Sequence, residues 1–145
     1  MNTPEFIAEE NVSIKSLADI FKRAFFKAAL DDIGGMLIDL EDGSRMVVLV
    51  EANKKLIRFM AIEFIQETAT NEQKLELVNR MNDRVVFSRF SIPSKQPDDQ
   101  VILVGDYYLP YEEGILAYQL VNAFKIFTKT VIGAINACDQ DRIIK

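Results

Sequence analysis

The stretch MLIDLEDGSRMVVLV, residues 36–50, decides the fold class of this chain. Apolar side chains alternate from Met36 to Leu40, which is typical of a strand with one buried face. The turn sequence Glu41–Ser44 contains Asp-Gly, a strong hairpin signal, and Met46–Val50 is a second apolar run. The sequence therefore predicts an antiparallel hairpin within a β-sheet.

Three more strands and two helices are predicted downstream of this hairpin. A turn at 52–55 leads into a third strand over Leu56–Gln66, so the first three strands form an antiparallel meander. A short helix capped by Thr70 or Asn71 follows. Two further strands, joined by a proline-containing loop over 93–99, lead into a long final helix; these strands are expected over Val85–Ile92 and Val101–Leu109.

A helix is predicted upstream of the hairpin. Ser13 and Ser16 are both plausible N-caps, and apolar residues then recur at intervals of three and four as far as Ala28. Gly34–Gly35 is interpreted as the C-cap of this helix, because phosphate-binding loops have a strand before their glycines. The order α-β-β-β-α-β-β-α predicts a two-layer α+β fold with a five-stranded antiparallel sheet.

The domain organisation follows from the length of 145 residues, which matches one domain. We expect a single domain over residues 13–138. Residues 1–12 are expected to be an acidic, frayed lead-in, and residues 139–145 a short C-terminal tail.

The composition excludes several kinds of function. With 17 Lys and Arg against 22 Asp and Glu, the net charge of −5 argues against nucleic acid as a partner. The absence of histidine and the single cysteine, Cys138, exclude Ser-His and Cys-His nucleophile pairs and a structural zinc site within one chain. We therefore expect no enzymatic activity, no metal and no cofactor.

Neither an export signal nor a membrane span is predicted. The first eleven residues carry three glutamates and no basic residue, whereas a secretory signal begins with positive charge. No apolar run approaches the roughly 20 residues that cross a bilayer. We expect a cytoplasmic protein with no membrane partner.

Paired carboxylates are the remaining candidates for acid–base or metal chemistry. Each pair lies in a predicted turn or at a helix end, where carboxylates are solvated. We interpret all of them as structural and predict no catalytic residue; the pairs are Asp31–Asp32, Asp98–Asp99, Glu112–Glu113 and Asp139 with Asp141.

The side of the sheet away from the helices carries the most specific prediction. Such a side is normally polar, but the third strand is apolar on both sides, with Phe59 pointing one way and Met60 the other. We call the weaker side the second face and assign to it Val47, Leu49, Arg58, Met60, Ile62, Phe64, Phe87, Arg89, Val104, Asp106 and Tyr108.

An apolar second face would exceed the few hundred Å² that a monomer normally exposes. A second copy of the chain, a segment of another protein, or the chain's own final helix or N-terminal tail are the alternative covers. We favour a homodimer or a bound protein partner, with Arg58, Arg89 and Asp106 setting the register of the contact.

Two further features have open interpretations. Asn79 and Asn82 lie three residues apart on the middle helix, where they either contact a ligand or partner or bond to the neighbouring strand or helix end. The aromatic residues of the first and last helices either fill the core or line a small-molecule pocket between helices and sheet; they are Phe21, Phe25, Phe26, Phe124 and Phe127.

The element order and three short segments resemble the YbjN family of small bacterial proteins. The segment LVNRMN, residues 77–82, lies on the middle helix directly before a strand and is similar to the L-V-N-x-x-N segment of that family. Asp42–Gly43 and Glu113–Ile115 are similar as well, and the resemblance covers about Ser13 to Cys138. The first helix and the 93–99 loop are longer than in the family pattern.

The resemblance implies a type III secretion chaperone-like fold, with helices on one side of a five-stranded antiparallel sheet. Family members are described as bacterial sensory transduction regulators, without catalytic residues to carry over. We therefore expect a non-enzymatic regulatory or adaptor protein, dimeric and binding a protein partner in a chaperone-like manner. The alternative is a small-molecule-sensing regulatory domain.

Overall fold

The structure is a computed structural model and describes residues 5–94, 96 and 98–145. Its internal contacts group into two compact units. The first unit contains the chain up to Met60 together with Tyr108–Ile126, and the second contains Ala61–Tyr107 with Phe127–Lys145. A single domain over residues 13–138 stays a prediction.

Three α-helices and eight strands are formed by the described residues, which confirms a mixed α+β fold with antiparallel sheets. The helices are α1 (Ile14–Arg23), α2 (Asn71–Arg84) and α3 (Ala117–Cys138). The strands are β1 (Phe6–Ile7), β2 (Lys27–Leu30), β3 (Met36–Asp39), β4 (Arg45–Glu51), β5 (Leu56–Phe64), β6 (Arg89–Ser91), β7 (Ile102–Pro110) and β8 (Ile115–Leu116).

The larger sheet of the described chain has six strands in the order β2-β3-β4-β5-β7-β6, where the sequence predicts five. The extra strand, β2, lies where the apolar periodicity predicts the end of the first helix. Strand β6 covers only Arg89–Ser91 of the strand expected over 85–92. A second, two-stranded sheet pairs β1 with β8.

Helix α1 begins at the first of its two candidate caps. Ser13 is the N-cap, and its hydroxyl oxygen accepts a hydrogen bond from the Ser16 N–H at 3.1 Å. The Ser16 hydroxyl oxygen in turn accepts from the Ser13 N–H at 2.9 Å, which completes a reciprocal capping box.

The end of α1 corrects the prediction of a helix continuing to Ala28. Phe25 adopts a left-handed backbone with φ of 68°, the Phe25 N–H donates to the Lys22 carbonyl at 3.0 Å, and the Phe26 N–H donates to the Phe21 carbonyl at 2.9 Å. These two bonds form a Schellman motif, which satisfies the last helical carbonyls and turns the chain toward β2. Periodicity alone misses this stop because Phe occupies the position where glycine is usual.

We expect Phe25→Gly to raise the free energy of unfolding by about 0.5–1 kcal/mol, since glycine reaches a positive φ without steric cost. Little packing is lost because the Phe25 side chain is 97% exposed. Urea denaturation at low protein concentration measures the effect. Phe25→Ala is the control: it removes the ring and keeps the Cβ, so equal stabilisation by both variants would contradict the explanation.

A tight turn joins β2 to β3. The Asp31 Oδ1 accepts hydrogen bonds from the Ile33 N–H at 3.0 Å and the Gly35 N–H at 2.7 Å, and Gly34 has φ of 89°. The interpretation of Gly34–Gly35 as a helix C-cap is therefore wrong. The glycines serve a β-turn, and the adjacent carboxylate Asp31 has the structural role that the sequence predicts.

The N-terminal segment corrects the expectation of a frayed lead-in, of which residues 1–4 lie outside the described residues. Phe6 and Ile7 pair with Leu116 and Ile115, and Ile7 is buried. Gly114 permits this pairing, because a Cβ there would lie 2.7 Å from the Ile7 carbonyl oxygen. The segment is thus fixed by backbone pairing, which its acidic composition does not reveal.

Two carboxylates shape the β3–β4 hairpin. A hydrogen bond from Arg45, together with the positive charges of Arg45 and Lys27, lowers the pKa of Asp39 below its usual 3.8. Hydrogen bonds from the Ser44 hydroxyl and N–H lower the pKa of Asp42 in the same way. The hairpin predicted from Asp42–Gly43 is confirmed, with Met36 opposite Val48.

These lowered pKa values predict a small pH dependence of stability. A carboxyl whose pKa is lower in the folded than in the unfolded chain adds stability at neutral pH and loses it as pH falls through the folded pKa. The double variant Asp39→Asn with Asp42→Asn should therefore lose less stability than the wild type between about pH 5 and pH 2. Urea denaturation across that range measures the difference, and parallel curves for the two proteins would contradict it.

The core of the first unit is an aromatic cluster. The Phe124 ring on α3 lies 5.0 Å from Phe21, 5.3 Å from Phe26 and 5.4 Å from Phe59, each in an edge-to-face arrangement. Phe21, Phe59 and Phe124 are fully buried. These rings pack against one another, which favours the core interpretation over a ligand pocket among them.

The core of the second unit is closed by α2, β6, β7 and the C-terminal residues. Gly105 on β7 accommodates the Phe90 ring, since a Cβ there would meet that ring at 2.9 Å. The C-terminal tail is anchored by Asp139, whose carboxylate accepts from the Ile143 and Ile144 N–H groups at 2.9 and 3.1 Å. Ile144 also pairs with Ile65, so the tail continues the backbone pairing of this unit.

Candidate functional site

The second face within the first unit is partly exposed. Along β4, the buried side chains of Met46 and Val48 alternate with half-buried Val47 and Leu49. Along β5, buried Ile57 and Phe59 alternate with half-buried Arg58 and Met60. The two sides of these strands therefore differ in burial.

Two contacts organise this part of the second face. The Arg58 guanidinium carbon lies 5.4 Å from the centre of the Tyr108 ring, which is a cation–π arrangement. Leu37 lies opposite Val47 across β3 and β4 and is half-buried as well. Leu37 therefore belongs to the second face, although it was not predicted there. Its place between Met36 and Ile38 in the alternation of β3 was the signal that could have identified it.

The second-face residues of the second unit have a different character. Val104 and Asp106 are buried, with 6% and 2% exposure, whereas Phe64 is 44% exposed. The Asp106 carboxylate accepts two hydrogen bonds from Arg89, which lies directly opposite on β6, at 3.2 and 3.0 Å. This bidentate ion pair compensates the buried Asp106 carboxylate and links β6 to β7. Ile62 is half-buried.

Phe87 does not occupy its predicted place on the second face. It precedes β6 in a bend of the chain and stacks on Tyr107, with ring centres 4.1 Å apart. Because strand side chains alternate, Tyr107 points away from the side that Asp106 and Tyr108 share. The strand predicted over Val85–Ile92 starts later than expected, so the assumed alternation does not reach Phe87.

Asn82 has a structural role that resolves one of the open interpretations. Its side-chain Oδ1 accepts from the Phe90 N–H and its Nδ2 donates to the Phe90 carbonyl, both at 2.9 Å. Strand β6 is at the end of the sheet, so the Asn82 amide takes the place of a neighbouring strand. Asn79 is exposed, and a contact of Asn79 with a ligand or partner stays a prediction.

The described residues form several grooves that are candidate ligand sites. One of about 470 Å³ runs between α2 and β6 and is lined mainly by apolar side chains, among them Leu75, Val78 and Ile92. None of the aromatic residues proposed for a pocket lines it; Phe25 and Phe26 instead border a smaller hollow of about 300 Å³ beside Leu40. Within the described chain no three Cys, Asp or Glu side chains approach closely enough to hold a metal ion.

Exposed apolar side chains at the β2 end of the sheet were not anticipated. Phe25 and Ile33 are 97% and 92% exposed, and Leu30 is 50% exposed. These residues lie on strand β2 or next to its two ends. Because the sequence did not predict β2, their exposure could not be predicted either.

The helices give no indication of a membrane-spanning segment: in the described chain, each is either too short or too polar for a bilayer.

The fold is similar to a solved structure described as "Crystal structure of YbjN, a putative transcription regulator from E. coli". The TM-score is 0.78, and the alignment covers 92% of this chain and 96% of that chain at 12% sequence identity. The fold is thus that of a solved protein described as a bacterial regulator. Comparison with curated proteins gives no match.

Family assignment comes from the sequence itself. The family model YbjN, described as "Putative bacterial sensory transduction regulator", matches residues 13–140. The chain therefore belongs to the YbjN family, and the resemblance inferred from residues 77–82 is confirmed.

Proposed function

We propose that this protein is a non-enzymatic cytoplasmic regulator that binds a protein partner through the second-face residues of its first unit and also self-associates. The family description as a regulator supports the class of function. The observation that supports the proposal is that Val47, Leu49 and Met60 are apolar and partly exposed, on the side of β4 and β5 opposite the buried core residues.

The physical argument concerns the cost of leaving such residues in water. Fully burying one aliphatic side chain contributes about 1.5–3 kcal/mol, and domain stability totals only about 5–15 kcal/mol. Val47, Leu49 and Met60 are partly exposed, so a part of this free energy remains available for binding a partner. Arg58, whose guanidinium carbon lies 5.4 Å from the centre of the Tyr108 ring, adds positive charge to this surface.

The proposal predicts that truncating side chains on this surface removes partner binding without unfolding the protein. In an affinity capture from the native organism, we expect Arg58→Ala with Met60→Ala to lose a protein that the wild type retains, because both side chains lie partly exposed on the second face. The retained protein is then purified, and its affinity for the double variant should fall by at least about tenfold.

A matched control removes one basic and one apolar side chain elsewhere. Ile126 and Lys129 are exposed on α3, so Ile126→Ala with Lys129→Ala should bind like the wild type. Circular dichroism and thermal unfolding establish that both double variants are folded. Equal loss in both, or no loss in either, would contradict binding through the second face.

A further inference from the structure

The two ends of the larger sheet are treated differently. At the β6 end, the Asn82 amide satisfies the outward N–H and carbonyl groups of Phe90. At the other end, β2 has β3 on one side and, among the described residues, no strand on the other. An open edge strand is a template for pairing with another chain, so this contrast directs attention to β2.

The backbone groups that β2 presents outward can be identified from its register. The Asp31 N–H donates to the Gly35 carbonyl at 3.0 Å, and the pairs Ala29–Leu37 and Lys27–Asp39 follow at intervals of two. In an antiparallel pair, such alternate residues bond inward and those between them point outward. Ala28 and Leu30 therefore direct their N–H and carbonyl groups to the open edge.

We propose that two copies of this chain pair through their β2 strands, antiparallel and around a two-fold axis at Ala29. Ala28 of each copy then exchanges both backbone hydrogen bonds with Leu30 of the other copy. This inference deepens the self-association part of the proposed function and is independent of partner binding by the second face.

Two features of the side chains make this register self-complementary. The residue on the axis is alanine, and it is exposed, so the close approach of the two strands meets no bulk. The same register sets the exposed Lys27 of one copy opposite Asp31 of the other, twice in the dimer. These opposite charges match at the positions where like charges would oppose pairing.

The exposed apolar residues lie at the ends of this pairing. Phe25 precedes β2 and Ile33 follows it, so the antiparallel arrangement brings Phe25 of one copy and Ile33 of the other to the same end. Both are more than nine-tenths exposed in the single chain. Phe25 also keeps a left-handed backbone that disfavours side chains larger than glycine, which is understandable when the ring serves a contact outside the chain.

The position of Ala29 on the two-fold axis provides a specific test of this geometry. A residue on the axis meets its own copy, so Ala29→Glu and Ala29→Lys each place two like charges together. By sedimentation velocity, we expect a wild-type dimer in the micromolar range and at least about tenfold weaker self-association for each variant alone. An equimolar mixture of the two variants should recover the dimer, because the introduced carboxylate then faces the introduced ammonium group.

Two more variants separate the edge contact from general effects of charge and folding. Leu30→Pro removes an outward N–H without touching the β2–β3 bonds and should give a folded monomer. Asn136→Glu, on the exposed surface of α3, should dimerise like the wild type. A wild type that stays monomeric at about 100 μM, which is well above the micromolar concentrations at which we expect the dimer, overturns both this inference and the proposed self-association. A wild-type dimer that the Ala29 variants leave intact, or that their mixture fails to recover, overturns the β2 pairing alone.

Discussion

Replacing Phe124 by alanine is expected to lower the free energy of unfolding by about 4 kcal/mol, the largest effect of any single change considered. Phe124 is fully buried and makes edge-to-face contacts with Phe21, Phe26 and Phe59 at 5.0 to 5.4 Å. Removing this ring loses its hydrophobic transfer energy, opens a cavity and removes three aromatic contacts at once. Urea denaturation followed by circular dichroism measures the change.

The control for Phe124 lies on the same helix. Tyr118 is 71% exposed, so Tyr118→Ala should change stability by less than about 0.5 kcal/mol. If Phe124→Ala does not fold, Phe124→Leu keeps most of the volume and should still cost about 1–2 kcal/mol. Similar values for Tyr118→Ala and either Phe124 variant would show that the ring is not part of a packed core.

Replacing Asn82 by alanine is expected to cost about 2 kcal/mol, which is large for a residue whose surface is exposed. The change removes two hydrogen bonds of 2.9 Å and leaves the Phe90 N–H and carbonyl groups at the sheet edge without their amide partner. Because the β6 edge is then open, we also expect faster aggregation on heating. Chemical denaturation and light scattering measure the two effects.

Asn79 supplies the matched control, since it is an exposed asparagine on the same helix three residues earlier. Asn79→Ala should leave the free energy of unfolding within about 0.5 kcal/mol of the wild-type value and aggregation unchanged. Asn79 is exposed, and alanine is a better helix former than asparagine. If the two alanine variants lose stability equally, Asn82 does not substitute for a strand.

The parts of the fold that the sequence predicted well are those with strong local signals. The β3–β4 hairpin follows from the alternation around Asp42–Gly43, and the start of α2 follows from Thr70, whose hydroxyl accepts from the Gln73 N–H. The YbjN assignment was likewise available from the segment 77–82 and the order of elements. Each of these depends on neighbours within a few residues.

The parts that the sequence missed depend on contacts between distant residues. The spacing of Phe21 and Phe25 suits a continued helix, yet the chain leaves the helix at Phe25 so that β2 can pair with β3. The pairing of Phe6–Ile7 with β8 is equally invisible locally. In both cases backbone pairing outweighs a periodicity preference, because each strand residue gains hydrogen bonds and buried area that the local pattern does not encode.

By itself the sequence determined the class of fold, the family, and the presence of apolar side chains on both sides of β4 and β5, because alternation and turn chemistry act over a few residues. Only the tertiary structure decided that Asn82 closes one end of the sheet while β2 leaves the other open. Edges are defined by which strands are neighbours, and that is settled by pairings between residues far apart in the chain, whose free energy no short segment contains.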